Sequence, residues 1–205
     1  MRNLLFFLVV ILMAGCAASN TSTANNINAD ADFNHKAIQI LKPKCEAGNL
    51  SACNDLAISY QNLQNHQTAF KIYEKNCKMG HQKSCTNLAN IYMYGDQIGL
   101  QKDMKKGIEI HRNSCMNNGA DSCYYLGEFY RLGIDAKEPD YQNAFEAYSR
   151  GCAMGDIASC TNTGGLYELG LGVKKDEYRA LQIYKSSCYS GDASACDNVK
   201  RIRGY

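Results

Sequence analysis

Ten of the eleven cysteines fall into five pairs of identical spacing: Cys45 with Cys53, Cys77 with Cys85, Cys115 with Cys123, Cys152 with Cys160 and Cys188 with Cys196. The first members follow one another at 32, 38, 37 and 36 residues, the period of a two-helix unit repeated along a chain. In an unbroken helix, positions eight apart lie about 12 Å apart along the axis. A disulfide tolerates a Cα separation of roughly 7 Å at most, so the chain must reverse between the two members of each pair. Gly48, Gly80, Gly119, Gly155 and Gly191 stand three or four residues after the first cysteines, where a helix ends in left-handed geometry. The spacing therefore predicts five disulfides, each stapling two consecutive helices across a tight turn.

The flanks of each pair carry helical periodicity. After the second cysteine, apolar or small residues recur at +3, +4 and +7, as in Leu88, Ala89 and Tyr92 or Leu126, Gly127 and Tyr130, which makes one packed face. Tyr60, Tyr92, Tyr130 and Tyr167 at +7 are read as packing residues. Before the first cysteine, a small residue stands at −8 (Ala37, Ala69, Gly107, Ala144, Ala180) and Ile40, Ile72, Ile110, Ala147 and Ile183 stand at −5. Asp103, Asp140 and Asp176, twelve before their cysteines, are candidate N-caps. The expected class is all-α, an α/α solenoid of five disulfide-stapled helix-turn-helix repeats over residues 33–205.

Ten cysteines in pairs suit an oxidising compartment, and the amino terminus agrees. Arg2 precedes an apolar run from Leu4 to Met13, and Ala14-Gly15 are small. This reads as a secretory signal over 1–15, too short to cross a hydrocarbon core of about 30 Å. Met13-Ala14-Gly15-Cys16 resembles a lipobox with Cys16 as the lipidated residue; the alternative is an ordinary cleavage that leaves a soluble periplasmic or secreted chain. Residues 16–32, polar and poor in apolar side chains, are expected to be a flexible tether. A lipid on Cys16 would be the sole membrane attachment, in the periplasm or at the outer membrane.

Leu-Gly-x-x-Tyr after the second cysteine, Gly-x-Gly-Val-x-x-Asp in the loop (Gly170 to Asp176) and Ala-x-x-x-Tyr in the next helix resemble Sel1-like repeats, relatives of tetratricopeptide repeats. Thr163 in place of an apolar residue, Gly107 in place of Ala, and a short connection near Asn62 to Asn65 depart from the pattern. With C-x7-C in every unit, the chain is similar to the secreted Helicobacter cysteine-rich proteins. That resemblance implies penicillin binding or β-lactam hydrolysis for some members.

The residues do not supply that chemistry. No Ser-x-x-Lys, Ser-Asp-Asn or Lys-Thr-Gly occurs, so the usual acyl-transfer machinery is missing. His35, His66, His81 and His111 lack metal-site spacing and are read as exposed surface residues. No metal and no cofactor are expected. The formal charge of +2, with Lys and Arg spread along the chain, does not suggest nucleic acid. A monomeric binding scaffold is the favoured reading. Stacked helix pairs curve, and the first helix of each unit lines the inner side. There, positions +1, +5 and +8 after the second cysteine form one stripe: Thr86, Asn90, Met93, Tyr124, Glu128, Arg131, Thr161, Gly165 and Glu168. Its mixed polar and aromatic character suits a peptide, a partner protein or a peptidoglycan fragment, with a β-lactam as the ligand the resemblance adds.

Overall fold

A computed structural model describes residues 20–95, 99–134, 136 and 138–204, with side chains from Asp30 onward. Residues 1–15, read as a secretory signal, and Cys16 lie outside the described residues. Among the described residues ten helices follow in order: α1 (Asn20–Glu46), α2 (Leu50–Asn62), α3 (His66–Lys78), α4 (Gln82–Tyr94), α5 (Met104–Met116), α6 (Ala120–Leu132), α7 (Tyr141–Ala153), α8 (Ile157–Leu169), α9 (Glu177–Tyr189) and α10 (Ala193–Arg203). No strand occurs among them, and no described helix is long and apolar enough to cross a membrane. Helix α1 starts earlier than a tether over 16–32 would allow. Its first residues belong to that polar stretch, whose Asn, Ser, Thr and Asp favour a helix only weakly although neither Pro nor Gly interrupts it.

Each helix packs on its sequence neighbours, and contacts between alternate helices join α4 to α6, α6 to α8 and α5 to α7. Odd and even helices thus form two layers of a solenoid. All five cysteine pairs are bonded as their spacing requires. Cys45 bonds to Cys53 between α1 and α2, Cys77 to Cys85 between α3 and α4, and Cys115 to Cys123 between α5 and α6. Cys152 bonds to Cys160 between α7 and α8, and Cys188 to Cys196 between α9 and α10. The Cα separations are 4.4 to 4.7 Å. Cys53, Cys85 and Cys123 are buried, while Cys160 and Cys196 near the carboxyl end are half-buried.

The turns between stapled helices follow the glycine signal in four units, where Gly48, Gly80, Gly155 and Gly191 have φ between 90° and 98°. The third unit differs. There Asn118 takes the left-handed position at φ 67°, and Gly119 caps α6. A Cβ on Gly119 would lie 2.9 Å from the carbonyl oxygen of Ser114, so the glycine serves close approach rather than handedness.

The longer connections repeat one device. Asp103, Asp140 and Asp176 accept the amides of Lys106, Asn143 and Arg179 on their side chains. Their own amides donate to the carbonyls of Tyr92, Tyr130 and Tyr167 at 2.7 to 2.8 Å. One aspartate therefore starts an odd helix and ties it to the end of the even helix before it. Small residues at −8 permit the crossing. A Cβ on Gly107 would meet Met93 Cγ at 2.1 Å, and Ala69, Ala144 and Ala180 are fully packed. Thr163, the departure from an apolar residue, is buried with its hydroxyl donating to the Ser159 carbonyl at 2.8 Å.

Against those small residues lie large side chains four before the first cysteine: Tyr73, His111, Tyr148 and Tyr184, all buried. His111 therefore stands in a tyrosine register and is not a surface residue. It has no solvent exposure, stacks on Tyr125 and tilts against Phe129.

Candidate interaction surface

The even helices carry no net charge as a group, and their outward side chains face a curved surface. A cavity of about 430 Å³ draws its lining from three successive even helices: Ser51, Asn54 and Asp55 on α2, Gln82, Lys83 and Thr86 on α4, and Ala120 and Asp121 on α6. The caps His81 and Gly119 and the turn residue Asn118 complete it. Three successive units line this one space, on the even-helix side that solenoids of this kind turn inward. A second cavity of about 310 Å³ lies beside it, between Gln61 on α2, His66 on α3, and Asn87, Asn90, Ile91 and Tyr94 on α4.

An amide-rich floor runs between the two. Asn54 Oδ1 accepts from Ser84 Oγ and from Asn87 Nδ2, both at 3.1 Å. Gln82 lines the first cavity with a buried Oε1 that has no partner among the described residues. His81 caps α4 by accepting the Ser84 amide on Nδ1. Burial, helped by the nearby Lys83 and opposed by Asp55, holds its imidazole below the usual range.

Of the stripe expected to meet a ligand, only Thr86 lines the first cavity and Asn90 the second, and much of the stripe is engaged inside the protein. Met93 is 1 % exposed and fills the space beside Gly107. Thr86 is buried, with its hydroxyl 2.7 Å from that of Ser122. Asn90 Oδ1 faces His111 Nε2 at 3.2 Å, while Ser122 Oγ lies 3.3 Å from the other ring nitrogen. An amide oxygen can only accept, so Nε2 carries the proton and Nδ1 accepts from Ser122. Glu128 accepts the hydroxyl of Tyr148 and pairs with Arg131 through two hydrogen bonds of 2.7 and 3.2 Å. Burial alone would raise the Glu128 carboxyl; donation from Arg131 and Tyr148 outweighs it and holds the group below the usual carboxylate range. Glu168 repeats the pattern with Tyr184 at 3.0 Å and a bidentate Arg201 at 2.7 and 2.8 Å, and Arg201 holds its carboxyl down. Thr161 donates to Asp192, the cap of α10, at 2.6 Å. Tyr124 is half-buried, edge-on to Tyr125 and tilted against Tyr148. Gly165 approaches the Tyr184 hydroxyl.

The same tie recurs at every crossing. Tyr73, His111, Tyr148 and Tyr184 of the odd layer donate to Gln61, Asn90, Glu128 and Glu168 of the even layer. These acceptors sit at +8 or +5 after the second cysteine, the positions read from sequence as ligand contacts. Their first task is to satisfy a buried donor. The solvent-exposed polar groups of the inner cavity are instead Ser51, Asp55, Lys83, Asn118 and Asp121. Ser51, Lys83 and Asp121 stand at −2, one turn ahead of the +1 position at which the stripe begins, Asp55 stands at +2 beside it, and Asn118 lies in a turn, so the +1, +5, +8 pattern does not include them. Among the described residues, no group of three or more His, Cys, Asp or Glu could hold a metal ion.

The Sel1 repeat family model matches four consecutive stretches, residues 50–81, 82–118, 120–156 and 157–192. This chain belongs to the Sel1 repeat family. In that register each unit is an even helix followed by an odd one; four disulfides tie the end of one odd helix to the start of the next unit, and Cys188–Cys196 ties the last unit to α10. Comparison with curated protein sequences finds no match. Among solved structures, a Sel1 repeat protein from Oxalobacter formigenes is 19% identical, with a TM-score of 0.73 over 90% of this chain and 81% of that one. The protective antigen c5321 of uropathogenic Escherichia coli, with an SLR fold, is 21% identical at a TM-score of 0.67, over 86% of this chain and 40% of its own. Helicobacter pylori cysteine rich protein B is 25% identical at a TM-score of 0.50, over 64% of this chain and 92% of that one. The resemblance to the Helicobacter cysteine-rich proteins is thus present in the fold as well as in the cysteines. A Sel1 repeat array with five staples is consistent with a protein-interaction role, and its disulfides suit an oxidising, exported environment.

Proposed function

We propose that this Sel1 repeat protein is an exported binding scaffold, and that its inner face receives an extended peptide segment of a partner protein. The observation that carries this reading is the cavity of about 430 Å³ spanning α2, α4 and α6. An extended chain presents alternating N–H and C=O groups every few ångströms, and the cavity offers matching partners. Asn118 suits backbone amides, while Asp55, Asp121 and Lys83 read side-chain charge. Because the units are locked to one another by disulfides, the groove is pre-organised and a ligand does not bear the cost of ordering it. Lipidation of Cys16 would hold the scaffold in the cell envelope; without it the mature chain is periplasmic or secreted.

The test is selection of displayed random peptides on the oxidised protein, followed by fluorescence anisotropy of the selected peptides against an Asp55→Ala/Lys83→Ala/Asp121→Ala variant. We expect at least about tenfold weaker binding, the loss of roughly 1.4 kcal/mol, with an unchanged melting midpoint. Selected peptides that bind the variant as tightly as the parent would remove the inner face from the account.

A further inference from the structure

The outer face of the odd layer carries charge that the inner face lacks. Between residues 33 and 116 there are eleven Lys and Arg against six Asp and Glu; from 117 to 205 there are ten against twelve. The excess concentrates on two helices. On α3 and α5, Lys71, Lys75, Lys78, Lys105, Lys106 and Arg112 face only Glu74 and Glu109, and all six cations are exposed. On α3, Lys71, Lys75 and Lys78 follow at helical spacing; on α5, Lys105, Glu109, Arg112 and Met116 do the same. Glu74 is occupied by Lys78 at 3.0 Å, while Lys71, Lys75 and Lys105 make no ion pair among the described residues.

Apolar side chains are exposed among these cations. Met79 after α3 and Met116 at the end of α5 are both more than half exposed, as is Ile40 on α1. Between α1 and α3 a groove of about 430 Å³ has an apolar floor that includes Leu50, Ile72 and the disulfide of Cys45 with Cys53, with Lys71, Lys75 and Glu46 at its rim.

We infer that the outer face of α1, α3 and α5 docks on the surface of a bilayer containing anionic phospholipid, leaving the inner groove turned away from the membrane. Lysine heads meet headgroup phosphates while their stems and the exposed Met and Ile side chains enter the acyl boundary. A nucleic acid backbone would use the cations but not the apolar groove. The cations of α3 and α5 are also five lysines and a single arginine, and these two helices expose no aromatic ring, the reverse of a surface for bidentate phosphate contacts and base stacking.

Sedimentation of the full chain with phosphatidylcholine vesicles, and with vesicles containing three parts phosphatidylglycerol to seven of phosphatidylcholine, tests the assignment. The apolar run Leu4 to Met13 can partition into both, so only the increment due to phosphatidylglycerol is read. A Lys71→Glu/Lys75→Glu/Lys105→Glu variant should lose that increment by about a hundredfold, from roughly a fivefold effect per lysine near the surface. A Lys174→Glu/Lys185→Glu/Lys200→Glu variant has the same net charge and should keep most of it. Equal losses in the two variants would mean that net charge alone acts, and absence of any phosphatidylglycerol increment in the parent would equally overturn the inference. Circular dichroism melting of both variants separates loss of docking from loss of fold.

Discussion

His111 makes the fold of this protein sensitive to acid in a way that can be calculated. Its imidazole is fully buried between Asn90 and Ser122 and covered by Tyr125 and Phe129. Burial pushes its pKa from 6.5 down to about 4, and no carboxylate lies among its hydrogen-bond partners to compensate. The unfolded chain therefore takes up a proton as pH falls through 6.5, while the folded one resists until about 4. Stability from this group is complete above the unfolded value and is lost as pH falls from there to the folded one. The difference corresponds to roughly 3 kcal/mol in all, of which about 2 kcal/mol is gone at pH 5. For an array of this size that lowers the melting midpoint by roughly 4–8 °C between pH 7 and pH 5. Carboxylates held down by arginines, such as Glu128 and Glu168, lose stability only at lower pH, and they are common to any variant used as reference. The reference is His111→Tyr, because tyrosine occupies the equivalent place at 73, 148 and 184. The assay is the difference in melting midpoint between the two proteins from about pH 7.5 to 4.5, covering the upper end of the window and most of the loss, with the His111 ring titrated by NMR. A His111→Tyr midpoint that falls in parallel with the parent, or a ring that titrates at the unburied value in the folded protein, would refute the reasoning.

Two further outcomes follow from the same ties. Tyr148→Phe removes a hydrogen bond to a charged carboxylate and should cost about 1.5–3 kcal/mol, whereas Tyr73→Phe, whose acceptor is the neutral Gln61, should cost about 1 kcal/mol; urea denaturation of the two variants decides whether the order holds. Replacing Cys115 and Cys123 together by alanine should cost about 2.5 kcal/mol, the loop-closure value for so short a span, and a melting midpoint that does not move would argue against a stabilising role for that staple.

Much of the fold can be read before any coordinates. Once the two cysteines of each repeated C-x7-C are bonded to one another, as in Cys77 with Cys85, Cys152 with Cys160 or Cys188 with Cys196, reach forces a chain reversal between them, and two helices per unit follow. Asp103, Asp140 and Asp176 as caps, and small residues at −8 as crossing points, follow from local chemistry. The site is less legible. Periodicity places Asn90, Glu128 and Glu168 on one face but does not supply their partners, although a signal exists. Tyr73, His111, Tyr148 and Tyr184 align at −4 in successive units, and a buried hydroxyl or imidazole at a fixed place demands an acceptor opposite.

Periodicity within one helix determines which residues share a face, since that depends only on the 3.6-residue turn. It cannot say what stands across from that face, because the partner comes from another helix, 12 residues away for Tyr73 and Gln61 and 33 for Arg201 and Glu168. The sequence by itself thus determined the repeat, the staples and the caps, which are short-range consequences of geometry and hydrogen bonding. Only the tertiary structure decided that Met93 fills the space beside Gly107, that Glu128 holds Tyr148, and that Asp55, Lys83 and Asp121 are left facing the groove. Each of those outcomes depends on how neighbouring units pack, and packing distances are a property of the stacked array rather than of any one segment.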